Sequence, residues 1–159
     1  DMKIIGVDPG YDRLGIAVME KMNGKETLIH SACIETDNQA DLADRITTAG
    51  MAFQSLLEKH QPDGVALEKL FFNKNVKTAV AVAQMRGVLI YLAKQASCTV
   101  HEYGPQEIKV AVTGYGKSDK NAVITMVKTL LPSAPKEALD DEYDAIATAI
   151  TCLASEREL

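Results

Sequence analysis

Two turn signals, Pro9-Gly10 and Asn23-Gly24, break up the first stretch of the chain and restrict what it can build there. The segments around them, residues 3–8, 14–19 and 27–34, are apolar or alternate apolar with polar, so each reads as a strand. Connections this short join neighbouring antiparallel strands, and a three-stranded meander is expected. The rest of the chain changes period. Residues 41–60 place Leu42, Ile46, Ala49, Phe53, Leu56 and Leu57 at helical spacing, and Gln61-Pro62-Asp63-Gly64 ends the pattern. Residues 65–68 read as a short buried strand, 76–95 as a long Ala-, Val- and Met-rich helix, and 98–102 as a strand. Pro105 opens a short helix through residue 111, since proline suits the first helical turn. Residues 118–131 form a further helix with Ser118 as N-cap, and 137–154 a last one.

The order β-β-β-α-β-α-β-α-α-α predicts an α/β fold: a mixed five-stranded sheet, first antiparallel and then parallel, with helices on both faces. With 159 residues and 47% apolar content, one domain over residues 1–159 has enough apolar side chains for a sizeable core. No signal-peptide pattern opens the sequence, and no apolar run is expected to span a bilayer. Cys33, Cys98 and Cys152 are odd in number and far apart, which argues against a disulfide framework or a structural zinc. Three buried thiols in a reducing cytoplasm are expected.

A net charge of −5 counts against a nucleic-acid partner until its distribution is examined. Residues 1–70 carry 7 basic and 12 acidic side chains, residues 71–130 carry 8 and 3, and residues 131–159 carry 2 and 7. A basic middle between acidic ends suits either a phosphate-binding face or an ordinary solvated surface.

The acids fall at informative places. Asp8 ends the first strand and Glu68 the fourth, and a carboxylate ending an apolar strand is costly to bury unless paired or metal-bound. Asp141 and Asp144, three residues apart, project from one helical turn. Two readings stay open for them: like charges held together for a cation, or acids favoured by the helix N-terminus. Four convergent carboxylates without His or Cys select a hard, oxygen-loving ion, Mg²⁺ or Mn²⁺. Two such ions would suit phosphodiester hydrolysis by clamping the attacking and leaving oxygens. Acyl transfer fits poorly: there is no GxSxG, and His30, His60 and His101 lack a partnered nucleophile.

These residues recur in one family. Ile5-Gly6-Val7-Asp8-Pro9-Gly10 followed by Gly15-Ile16-Ala17-Val18 resembles the opening of the RuvC Holliday-junction resolvases. So do Ala66-Leu67-Glu68-Lys69-Leu70-Phe71-Phe72-Asn73 and Gln84-Met85-Arg86-Gly87-Val88. A third block runs from Pro105-Gln106-Glu107-Ile108-Lys109 to Thr113-Gly114-Tyr115-Gly116-Lys117-Ser118-Asp119-Lys120, and a fourth covers Asp141-Glu142-Tyr143-Asp144-Ala145-Ile146-Ala147-Thr148-Ala149-Ile150. The resemblance implies an RNase H-like fold, a homodimer, and Mg²⁺-dependent paired nicking of four-way DNA junctions in recombination and repair, with two ions per active site. It implies catalytic and metal-binding roles for Asp8, Glu68, Asp141 and Asp144, with Asp8 bridging the ions. It places Lys120 at the transition-state charge, and Lys109, Lys117 and Arg86 on DNA. Phe71 matches an aromatic position that probes unstacked bases at the junction centre, core packing being the other reading for Phe71 and Phe72. It also implies the RuvA–RuvB branch-migration complex as a partner. The apolar helix 76–95 is the expected dimer interface.

The first turn departs from the family in carrying Tyr11-Asp12-Arg13. Three rivals remain. Another RNase H-like nuclease of the YqgF type shares the first turn but lacks the lysine blocks. An actin-like sugar kinase needs a second domain. A non-catalytic junction-binding module has no use for four acids.

Overall fold

The computed structural model describes residues 1–69 and 75–156. The expected order of elements is present: β1 (Met2–Asp8), β2 (Arg13–Met22), β3 (Lys25–Glu35), α1 (Leu42–His60), β4 (Gly64–Glu68), α2 (Val76–Gln95), β5 (Thr99–Tyr103), α3 (Pro105–Thr113), α4 (Lys120–Leu130) and α5 (Asp140–Ser155). The strands lie in the order β3-β2-β1-β4-β5. Both pairs in the β1–β2–β3 meander are antiparallel, while β1–β4 and β4–β5 are parallel, each reached through a helix.

Alternation along β1 divides the core. Ile5 and Val7 point to one side, where they pack with Phe53 and Leu57 of α1 and Met85 and Leu89 of α2. Met2 and Ile4 point to the other, against Ile146, Ile150 and Leu153 of α5 and Val123 and Val127 of α4. Gly6 shares that second face and lets α5 approach closely: a Cβ there would stand 2.3 Å from the Ala145 carbonyl oxygen. Gly15 on β2 does the same, since its Cβ would meet the Asp141 carbonyl oxygen at 2.0 Å. The start of α5 therefore lies directly on the ends of β1 and β2.

Several details differ from the sequence reading. Asp119, not Ser118, caps α4, accepting from the Ala122 amide at 2.8 Å. Ser118 Oγ instead donates to the Tyr115 carbonyl at 2.7 Å and lies 2.8 Å from Thr113 Oγ1, closing the turn between α3 and α4. A carboxylate serves the cap better because it also meets the positive end of the helix dipole. α5 begins at Asp140, three residues later than the pattern suggested. Of the three thiols, Cys98 and Cys152 are buried and Cys33 only partly so.

Contrary to the expectation for apolar runs, α2 is by length and composition alone long and apolar enough to cross a bilayer. Its inner face, however, packs Met85, Leu89 and Ala93 against the sheet, as in a core helix.

Candidate active site at the carboxyl ends of β1 and β4

The two strand-end acids lie side by side. The register pairs Val7 with Leu67, so Asp8 and Glu68 follow together on adjacent parallel strands. Alternation puts both on the α5 face, as continuations of Ile4–Gly6 and Ala66. α5, set down on Gly6 and Gly15, delivers Asp141 and Asp144 from its first turns. The structure thus brings Glu68, Asp141 and Asp144 within electrostatic reach of Asp8.

Electrostatics reflect that crowding. Asp8 has its carboxyl pushed up to about 8, first by burial, then by the charges of Asp144 and Asp141, a hydrogen bond with Asp141, and Glu68. Glu68 is also raised, by burial and then by Asp144, with Lys120, Lys109 and Arg86 opposing. Burial likewise raises Asp144, and Lys120 pulls it back. Lys120 Nζ donates to Asp144 Oδ2 at 3.2 Å and lies 3.7 Å from Asp140 Oδ2. Burial favours the neutral amine of Lys120, but the surrounding carboxylates outweigh it and hold the ammonium above its ordinary value.

A cavity of about 340 Å³ opens beside these groups, lined by Glu68, Lys109, Lys120, Asp144 and the apolar Pro105, Ile108, Val123 and Ala147. The larger cleft, about 790 Å³, lies at the other end of the sheet near Pro62 and Ser97, away from the carboxylates. We assign the site to the smaller cavity because chemistry requires convergent ionisable groups, not volume.

The donor set fits a divalent hard cation: four carboxylates, no imidazole and no thiolate ligand. Asp141 Oδ2 is buried with no hydrogen-bond donor aligned on it, an oxygen suited to a cation. Among the described residues no three acids, histidines or cysteines already stand close enough to hold an ion together. Two of the acids pair with basic side chains instead: Asp144 with Lys120 and Asp141 with Arg13.

The basic candidates separate. Lys109 and Lys120 line the cavity, and Lys117 is exposed in the turn between α3 and α4. Arg86 does not belong with them, and its expected role on DNA is corrected. Its side chain is only 8% exposed, and its guanidinium donates to the Glu68 carbonyl at 2.6 Å and pairs with Glu102 at 2.5 Å. Arg86 therefore ties α2 to the ends of β4 and β5 and fixes the backbone that carries Glu68. Its position inside a mostly apolar helix was the available signal, since an arginine on a core face needs a buried partner.

Phe71, with Phe72, lies outside the described residues. The histidines are elsewhere: His30 and His60 stack with ring centroids 6.2 Å apart, and His101 lies against Thr99 and Glu156. Lys69, which sequence reasoning passed over, reaches Glu107 at 3.7 Å beside the cavity.

Known proteins share the sequence and the fold of this chain. The family model described as "Crossover junction endodeoxyribonuclease RuvC" matches residues 4–152. The protein of that name from Thermosipho melanesiensis is 43% identical over 155 residues, 98% of each chain. That from Halothermothrix orenii is 42% identical over 149 residues, 94% of this chain and 90% of its own. Among solved structures, T. thermophilus RuvC in complex with Holliday junction substrate superimposes with a TM-score of 0.89 at 29% identity, covering 96% of this chain and 93% of that one. With the RNase H-like sheet and the four carboxylates at its centre, these matches show that the chain belongs to the RuvC family of crossover junction endodeoxyribonucleases.

Proposed function

We propose that residues 1–159 act as one nuclease domain that resolves four-way DNA junctions by hydrolysing one phosphodiester in each of two strands. The observation that carries this reading is the meeting of Asp8 and Glu68 with Asp141 and Asp144 beside a cavity that Lys109 and Lys120 also line. Those four acids would hold Mg²⁺, or Mn²⁺ in its place, as a pair of ions. Bound there, the metal supplies Lewis-acid stabilisation of charge at the scissile phosphate and a nucleophilic water at neutral pH.

The chain's own groups do the rest. Asp8, buried and surrounded by acids, is held above the ordinary carboxylate range, so a cation arriving there would favour its ionisation and metal loading would be coupled to proton release. Lys120, held as an ammonium by Asp144 and Asp140, places a positive charge where the phosphate would enter. Lys109 and Lys117 would hold flanking phosphates as point charges. Arg86 keeps the Glu68 backbone in place from behind.

Symmetric cutting needs two such sites related by a two-fold axis. The outer face of α2 favours a homodimer: Val76 is 63%, Val80 47% and Tyr91 63% exposed. Phe71 would probe unstacked bases at the junction centre. A cytoplasmic location, in contact with chromosomal DNA and the RuvA–RuvB branch-migration complex, follows from the family reading.

The test is incubation with a synthetic four-way junction, a linear duplex and an RNA/DNA hybrid, each with Mg²⁺ or EDTA. Mg²⁺-dependent paired nicks in the junction alone are expected. Preferential cutting of the hybrid would sink the resolvase reading, and junction binding without cutting would leave only a binding module.

A further inference from the structure

Lys120 is a cation that the family resemblance already places at the site. Arg13 is not. It opens β2, on the same sheet face as Gly15, against which the start of α5 rests. Its Nε stands 2.9 Å from Asp141 Oδ2, and the side chain is 49% exposed. The contact is ionic in character: no donor is aligned on Oδ2, although the oxygen itself is buried. An arginine in this position neutralises a carboxylate that would otherwise repel Asp8 and Asp144 at close range.

The backbone that aims Arg13 is held from outside the site. The Thr36 amide donates to the Asp12 carbonyl at 3.0 Å, and Thr36 Oγ1 donates to the Tyr11 carbonyl. Arg45 of α1 donates from Nε to Thr36 Oγ1 at 3.0 Å, pairs with Asp12, and sets its guanidinium 5.1 Å from the centroid of the Tyr11 ring. Tyr11, Asp12, Thr36 and Arg45 together fix the turn that follows Asp8. Arg13 also has a cross-strand neighbour at the end of the β2–β3 ladder, where it is in register with Glu35. A guanidinium leaving Asp141 therefore has a second carboxylate at hand.

We propose that Arg13 is a built-in counter-cation of the carboxylate cluster, which neutralises Asp141 in the metal-free protein and is displaced when a divalent cation loads there. The inference rests on the reading of Asp8, Glu68, Asp141 and Asp144 as a metal site. Its consequence is that this chain holds metal more weakly than its four acids alone would, because each loading event must first break the Arg13–Asp141 pair. Arg13 acts through Asp141 and is a positioning residue in that sense.

The experiment is calorimetric titration of Mn²⁺ into the metal-free 159-residue protein without DNA, for the unaltered chain and for Arg13→Gln, Arg13→Lys and Asp8→Asn. Arg13→Gln is expected to tighten Mn²⁺ binding by about three- to tenfold at low salt, as removal of one half-exposed opposing charge implies. The gain should shrink as ionic strength rises, and Arg13→Lys should stay near the unaltered value. Unchanged or weaker binding by Arg13→Gln, with Asp8→Asn unable to bind, overturns the Arg13 proposal and leaves the metal site standing. Mn²⁺ binding by Asp8→Asn equal to that of the unaltered chain overturns both. Arg13→Met serves as a second neutral variant, with thermal unfolding confirming that each variant is folded.

Discussion

Asp8 contains the conflict on which the site depends. Its strand needs apolar burial to form the centre of the sheet, yet its last residue is an acid among three others. Without metal the neutral carboxyl is favoured up to about pH 8, against an ordinary value near 4. An acid whose value is raised by folding contributes stability that is fully present below its unfolded value and lost as pH rises through the folded one. The metal-free protein should therefore unfold at progressively lower temperature between about pH 4 and pH 8. Asp8→Asn should flatten that decline, and scanning calorimetry in EDTA across this range checks it. A metal-free Tm that rises over the same window would contradict the assignment. Arg86 makes a second prediction at this scale. Arg86→Met leaves Glu102 without its partner and frees the Glu68 carbonyl, and should cost about 2 kcal/mol or more in denaturant unfolding. It should also raise the Mg²⁺ concentration needed for half-maximal cutting, which loss of a direct phosphate contact would leave unchanged.

At the scale of elements, the decisive contact is α5 against β1 and β2. The acids reach Asp8 because two glycines let the helix backbone down onto the sheet, with the Asp141 and Ala145 carbonyls in the space that side chains would fill. Gly15→Val should force α5 away, destabilise the fold by about 1–3 kcal/mol or more, and weaken Mn²⁺ binding further than Arg86→Met does. Unaltered stability and metal affinity in Gly15→Val would show that α5 is free to shift. This packing was not legible in the sequence. Turn signals and period revealed the strands, the crossover helices and the strand-end placement of Asp8 and Glu68, because those depend on local pattern. Asp141 and Asp144 were ambiguous, since an acid near a helix start is favoured whether or not it faces a site. The partners of Arg86 and Arg13 lie on other elements, so only tertiary structure reveals them. Ser118 and Asp119 are adjacent and both able to cap, and the choice between them turned on the contacts that Ser118 makes with Tyr115 and Thr113.

For the whole molecule, an acidic protein must hold a polyanion. Net charge −5 opposes approach to DNA, while the basic middle of the chain supplies Lys109 and Lys120 at the cavity and Lys117 on the exposed turn between α3 and α4. Junction affinity should accordingly fall steeply with salt. Lys109→Ala and Lys117→Ala should each lower the magnitude of the log K against log salt slope by about 1. Unchanged slopes would remove those lysines from the phosphate contacts.

Whether Asp8 and its neighbouring carboxylates form the metal site of a junction-cutting nuclease is decided by measuring binding and nicking of one four-way junction by Asp8→Asn in Mg²⁺. Junction binding should stay close to that of the unaltered protein. The nicking rate should fall by about three orders of magnitude or more, as loss of several kcal/mol of charge stabilisation implies. Nicking at the unaltered rate with Asp8 replaced would contradict the account.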